Sequence, residues 1–157
     1  MRSERNCAFS LVEVTLALGV AAVSLLVIFS LLPLGLQTNQ RSLEQTASVD
    51  ILSAVVADLR ATPVTNPRGN AATSPQFGIN IPASGGTGTT TLYVNSAGQS
   101  NSSQQSDSRY RVTITFVSNG GGAKSATLAD LKVTWPASAS ISNAQGSSEI
   151  FAAFDRN

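Results

Sequence analysis

Between Val14 and Leu36 the chain runs for 23 residues without a charged side chain, and Leu, Val, Ile, Ala and Phe dominate the stretch. Thr15, Ser24 and Ser30 are its only hydroxyl residues. As an α-helix the stretch is about 35 Å long, against about 30 Å of bilayer hydrocarbon. A helix that is apolar all round must be covered all round. A chain of 157 residues has no core deep enough to enclose such a rod. The expectation is therefore membrane insertion. Arg2 and Arg5 precede the span, which places the N-terminal side in the cytoplasm and exports the rest.

A secretory signal peptide would place a small-residue cleavage site after a shorter apolar region. Here Leu36-Gln37-Thr38 follows the span, and the small residue Ala8 precedes it. A lipoprotein signal would also put its Cys after the apolar region, whereas Cys7 lies before it. On composition alone, an unprocessed membrane anchor stays open as an alternative.

The balance of 10 Lys+Arg against 9 Asp+Glu gives a net charge of +1, without the basic surface that nucleic-acid binding needs. Only 12% of residues are charged, about half the usual share. With no His and a single Cys, the chain lacks disulfide frameworks, Cys/His metal sites, and His-dependent nucleophile or acid–base machinery. The composition predicts a structural or assembly protein rather than an enzyme, with no cofactor and no metal.

Glu13 is the exception within the greasy segment, five residues into Phe9-Ser10-Leu11-Val12-Glu13-Val14. A carboxylate there costs about 1–3 kcal/mol on insertion. An ionisable residue at such a place calls for a partner, unless it snorkels to the interface.

The segment Ala8-Phe9-Ser10-Leu11-Val12-Glu13-Val14-Thr15-Leu16-Ala17-Leu18 resembles the processing and methylation segment of type IV prepilins and pseudopilins. The resemblance implies that a prepilin peptidase cuts between Ala8 and Phe9, that the new Phe9 amine is methylated, and that Glu13 is the fifth mature residue. Ala8 stands where that family strongly prefers Gly, so slower cleavage is expected. After cleavage the Phe9 amine and the Glu13 carboxylate lie at similar depth. In an axially offset stack, the carboxylate of one subunit then pairs with the amine of its neighbour and fixes register. Three further segments extend the likeness: Phe29-Ser30-Leu31-Leu32-Pro33-Leu34-Gly35-Leu36, Ile51–Arg60 and Lys132-Val133-Thr134-Trp135-Pro136. With them, the chain is similar to the Verru_Chthon cassette protein B family, a prepilin-like family defined by its gene cassette.

Beyond the membrane the apolar pattern Leu43, Ala47, Ile51, Ala54/Val55 and Leu59 keeps a helical period, with Gln40, Arg41, Glu44, Gln45 and Asp58 on the opposite face. Ala61-Thr62-Pro63 should end the helix. Pro33 and Gly35 either kink it near the outer membrane face or mark its exit from the bilayer.

The remainder reads as β-rich. Strands are expected at Thr89–Val94, Arg109–Val117 and Asp130–Trp135, with Glu149–Phe154 as a terminal strand or closing segment. Turns are expected at Asn95–Gly98 and Asn119–Gly122. Three or four antiparallel strands would bury one face on the helical stripe. The segments Thr62–Ala83 and Asn95–Ser108 read as polar surface loops or partly disordered stretches.

The fold class expected is α+β and pilin-like. Its parts are a leader at 1–8, a membrane or filament-core half-helix at 9–36, an amphipathic half at 37–61, and a β-rich head at 62–157. Asp107, Asp130, Glu149 and Asp155 read as solvated surface acids, Gly85-Gly86-Thr87-Gly88 as a flexible turn, and Arg109 and Arg111 as solvated cations. Trp135 beside Pro136 reads as core, with a sugar-stacking platform as the alternative.

The function expected is a structural subunit, a minor pilin or pseudopilin-like protein, assembled into an envelope-spanning filament or secretion complex. Its partners would be the prepilin peptidase, other pilin or pseudopilin subunits and the membrane, with no nucleic acid. The alternative is a membrane-stalked module that binds a surface or polysaccharide.

Overall fold

The computed structural model describes residues 10–65, 70–83, 85–118 and 126–155. The chain divides after Ser42 into two compact units. Helix α1 (Leu11–Ala61) is followed by the strand pair β1 (Ala72–Thr73) and β2 (Asn80–Ile81). Strands β3 (Gly88–Asn95), β4 (Ser100–Asn101), β5 (Ser108–Val117), β6 (Thr127–Trp135) and β7 (Gly146–Phe154) complete the fold. The expected turn at 119–122 lies outside the described residues.

The 51 residues of α1 end at Ala61, where the sequence predicts the stop. Helix assignment is continuous through Pro33, although a proline there has no N–H to offer the carbonyl of Phe29. The last turn is closed by Thr62, whose Oγ1 donates to the Asp58 carbonyl at 2.9 Å, and Pro63 follows.

In the C-terminal unit, the buried side of the helix is Ser48, Leu52, Val55, Val56, Asp58 and Leu59, with Ala47 and Ile51 at its margin. This corrects the expected stripe, since Leu43 is 63% exposed. Asp58 is buried rather than solvent-facing.

Five strands, not three or four, form one antiparallel sheet in the order β4-β3-β5-β6-β7. Alternation dictates its faces. Tyr110, Val112, Ile114 and Phe116 of β5 point to the core, as do Ala129, Leu131 and Val133 of β6. Register places Val112 opposite Val133 and Ile114 opposite Leu131, so one layer of aliphatic side chains meets the helix. Leu92 and Val94 of β3 and Ala152 and Phe154 of β7 extend that layer. The sheet and the second half of α1 thus bury one shared core, an α+β layout.

Two segments expected as loops are more ordered than that. Within 62–83, β1 pairs with β2, and Ile79 and Ile81 are almost fully buried in the core. Within 95–108, β4 pairs with the end of β3. Asn95 organises the turn between them. Its Oδ1 accepts from the N–H groups of Ala97 at 3.1 Å and Gln99 at 2.9 Å, and its Nδ2 donates to Gln99 Oε1 and Asp107 Oδ2. Gly98 supplies the left-handed residue of this turn, at φ 80°.

Gly146 lies opposite Trp135 in register. A Cβ at this position would overlap the Cζ2 and Cε2 atoms of the indole, so only glycine lets the ring lie flat against the neighbouring strand. Gly146→Ala should destabilise the head by about 1–3 kcal/mol through forced displacement of Trp135. Gly88→Ala, where a Cβ meets nothing within 4 Å, should be neutral or slightly stabilising. Chemical denaturation of the full-length protein in detergent micelles, followed by its single tryptophan, separates the two.

Candidate functional site

Glu13 sits in the first turn of α1, where unpaired backbone N–H groups favour negative charge. The first intrahelical bond nearby runs from the Val14 N–H to the Ser10 carbonyl at 3.1 Å. Among the described residues Glu13 makes no hydrogen bond or ion pair. It borders a shallow recess on the helix surface with Val14, Ala17, Leu18 and Ala21. Glu13, Ala17 and Ala21 are spaced by four, so the carboxylate stands at one end of a stripe of small side chains on one helix face. Ala8 and Phe9, the expected cleavage site and methylated terminus, lie outside the described residues.

The helix around Glu13 is long and apolar enough to cross a membrane, and none of its most apolar window is buried. Leu16 is 70% exposed and Phe29 63%. Its hydroxyl residues, by contrast, are satisfied locally. Thr15 Oγ1 donates to the Val12 carbonyl at 2.9 Å, Ser24 Oγ to Val20 at 2.8 Å and Ser30 Oγ to Val27 at 2.7 Å. Such back-bonding removes the cost of carrying a hydroxyl into hydrocarbon.

Several polar groups of the head hold it together. Asp58 accepts from the backbone N–H groups of Gln76 and Phe77, both at 3.0 Å. It thereby fastens the helix end to the turn that delivers Ile79 and Ile81 to the core. Sequence reading missed this residue, and no local signal marks it, because its partners lie 18 and 19 positions away. Glu149 pairs with Lys132 at 2.8 Å across β6 and β7. That hydrogen bond, with the attraction of the two charges, raises the lysine above its ordinary 10.5. The pair's contribution is complete below the lysine's unfolded value and fades only as pH rises through the raised folded one. Asp107 accepts from Asn95.

The two arginines expected as solvated cations are both held. Arg109 donates to Glu44 Oε1 at 2.6 Å, and this bond holds the guanidinium's pKa above its ordinary value against a lowering by partial burial. Arg111 lies 5.7 Å from the centroid of the Tyr93 ring and donates to the Ala137 carbonyl at 2.7 Å.

Trp135 is only 7% exposed and meets Tyr110 edge to face at 6.3 Å, which makes it core rather than a stacking platform. Gly85 has a positive φ of 75°, and the Gly86 N–H closes on the Ala83 carbonyl at 2.8 Å, so the glycine run is a turn. Among the described residues no three His, Cys, Asp or Glu side chains group as a metal site. Among the described residues, Glu13 is the one acid at the edge of the uncharged helical segment, and it has no partner there.

Asp58→Ala should destabilise the head by about 2–3 kcal/mol, since two backbone donors lose a charged acceptor. Asp58→Asn should recover part of that, because one carbonyl oxygen remains. Thermal unfolding of the two variants beside the parent protein checks the order.

Compared with family models, curated proteins and solved structures, the chain matches none.

Proposed function

We propose that this chain is a membrane-inserted, prepilin-like structural subunit, a minor pilin or pseudopilin-like protein that assembles into an envelope-spanning filament or secretion complex. The observation that carries the reading is Glu13. It is an acid in the first turn of a helix whose next 23 residues carry no charge and whose apolar surface is left uncovered by the described residues.

In a bilayer the apolar surface is covered by lipid, and in an assembly by the same surface of neighbouring helices. The hydroxyls, already bonded to their own helix, cost little in either setting. The carboxylate remains. Cleavage between Ala8 and Phe9 by a prepilin peptidase creates a cation four residues away on the chain. A neighbour displaced along the assembly axis brings that amine beside Glu13. The pair is formed only at one offset, so it sets register as well as neutralising charge. The stripe of Ala17 and Ala21 beside Glu13 lets a neighbouring helix approach closely at the same place. The N-terminus lies in the cytoplasm, the helix crosses the inner membrane once, and the head stands on the periplasmic or extracellular side.

Two measurements test this reading. Mass spectrometry of the protein isolated from membranes should find N-methylated Phe9 as its first residue. An intact Met1 leader would reduce the chain to a signal-anchored domain. Glu13→Val should insert into the membrane as before while its recovery in the assembled complex falls at least ten-fold. Incorporation at the parental level would remove the register role.

A further inference from the structure

The head sheet ends in an edge that lacks the usual protection. Natural edge strands are kept short, or carry Lys, Pro or a bulge, because their unpaired N–H and C=O groups recruit other strands. Strand β7 has nine residues in regular register with β6. It has no Pro and no Lys, and its one charged residue, Glu149, is already paired with Lys132. Phe151 is 59% exposed and Ile150 43%, one on each face of the strand. Among the described residues no strand lies against its outer edge.

The opposite edge of the sheet is open in a complementary way. The strand β4 covers β3 only at Tyr93 and Val94. Among the described residues, the first half of β3, Gly88–Leu92, therefore pairs only with β5. Beside this open half runs a groove walled by Thr73, Asn80, Ile81 and Pro82. One edge thus presents backbone and a projecting aromatic side chain, and the other presents backbone and a recess.

Strand polarity selects the occupant. Three antiparallel pairings separate β3 from β7, so the two edges run in opposite directions. Copies inserted in one membrane with a common orientation, and repeated by a shift along an assembly, bring β7 of one beside β3 of the next as an antiparallel pair, the better-bonded arrangement. Pairing β7 with another β7 would need the neighbouring sheet reversed. We propose that the outer edge of β7 docks on the open half of β3 of a second copy, so that the heads form a continuous sheet along the assembly. The contact is heterologous and does not close on itself, and Phe151 is its main apolar anchor. The inference rests on the membrane-inserted reading, which supplies the shared orientation.

Cysteine cross-linking of the full-length chain in membranes tests it. In a Cys7→Ser background, Thr89→Cys is combined in turn with Glu149→Cys, Phe151→Cys or Ala153→Cys, residues on the same outward face. Insertion and orientation are read separately with a membrane-impermeant maleimide on the exported side. With insertion established, at least one double variant should form an oxidation-dependent ladder of dimers, trimers and longer species. Each single variant should stay monomeric, and Phe151→Lys added to the Thr89→Cys/Ala153→Cys pair should abolish its ladder. An inserted head with no ladder overturns the docking and leaves the anchor reading standing. Dimers from a β7 cysteine alone identify a symmetric contact and overturn it as well. A chain found uninserted, or with its head in the cytoplasm, overturns both readings.

Discussion

The dominant constraint on this protein is an apolar helical surface that stays exposed among the described residues. Residues 14–36 carry no charge, and in the folded structure their side chains remain exposed. About 25 cal/mol per Å² of uncovered apolar area sets the scale of what is at stake, and for a surface this long the total is far larger than the net stability of a small domain. The proposed membrane and assembly settings would supply that cover from outside the chain. The hydroxyls of Thr15, Ser24 and Ser30, folded back onto their own helix, are what a helix destined for hydrocarbon requires. Within that setting Glu13 is costly alone and informative when paired.

The head has the opposite economy. Several of its charged groups serve the fold: Asp58 fastens the helix end to the Gln76–Phe77 turn, Arg109 reaches Glu44, and Lys132 joins β6 to β7 through Glu149. The helix contributes one wall of the core through Leu52, Val55, Val56 and Leu59. A five-stranded sheet with one covered face is stable only with such a partner. The uncharged segment and the head therefore share one helix, whose first half is apolar all round and whose second half is apolar on one side.

Much of this was legible in the sequence because its signals are local and repeated. The alternation in Tyr110, Val112, Ile114 and Phe116 predicts β5 and its inward face, and Pro63 after Thr62 predicts the end of α1. What was not legible depends on distant partners. Asp58 reads as a solvent-facing charge until the turn at 76–77 is placed against it. Leu43 fits the helical period, yet the buried side of the helix is set by where the sheet lies and begins at Ser48. The strands β1, β2 and β4 have two residues each, too few to show alternation. Residues 95–108 look unstructured by composition, but one buried asparagine ties their ends. Of the expected assembly site, Glu13 is found at the start of an uncovered helix, and its proposed partner Phe9 falls outside the described residues.

The central claim is that the carboxylate of Glu13 is neutralised by the amino terminus of a neighbouring chain. The direct measurement is zero-length coupling of the native assembly with a membrane-permeant carbodiimide, using a mixture of isotopically light and heavy subunits. The account predicts an amide joining the residue 9 amine to the Glu13 carboxylate, with light–heavy pairs present at the statistical proportion for linkage between chains. Coupling only within single chains, or a Glu13 that reacts without ever capturing an amino terminus, would contradict it.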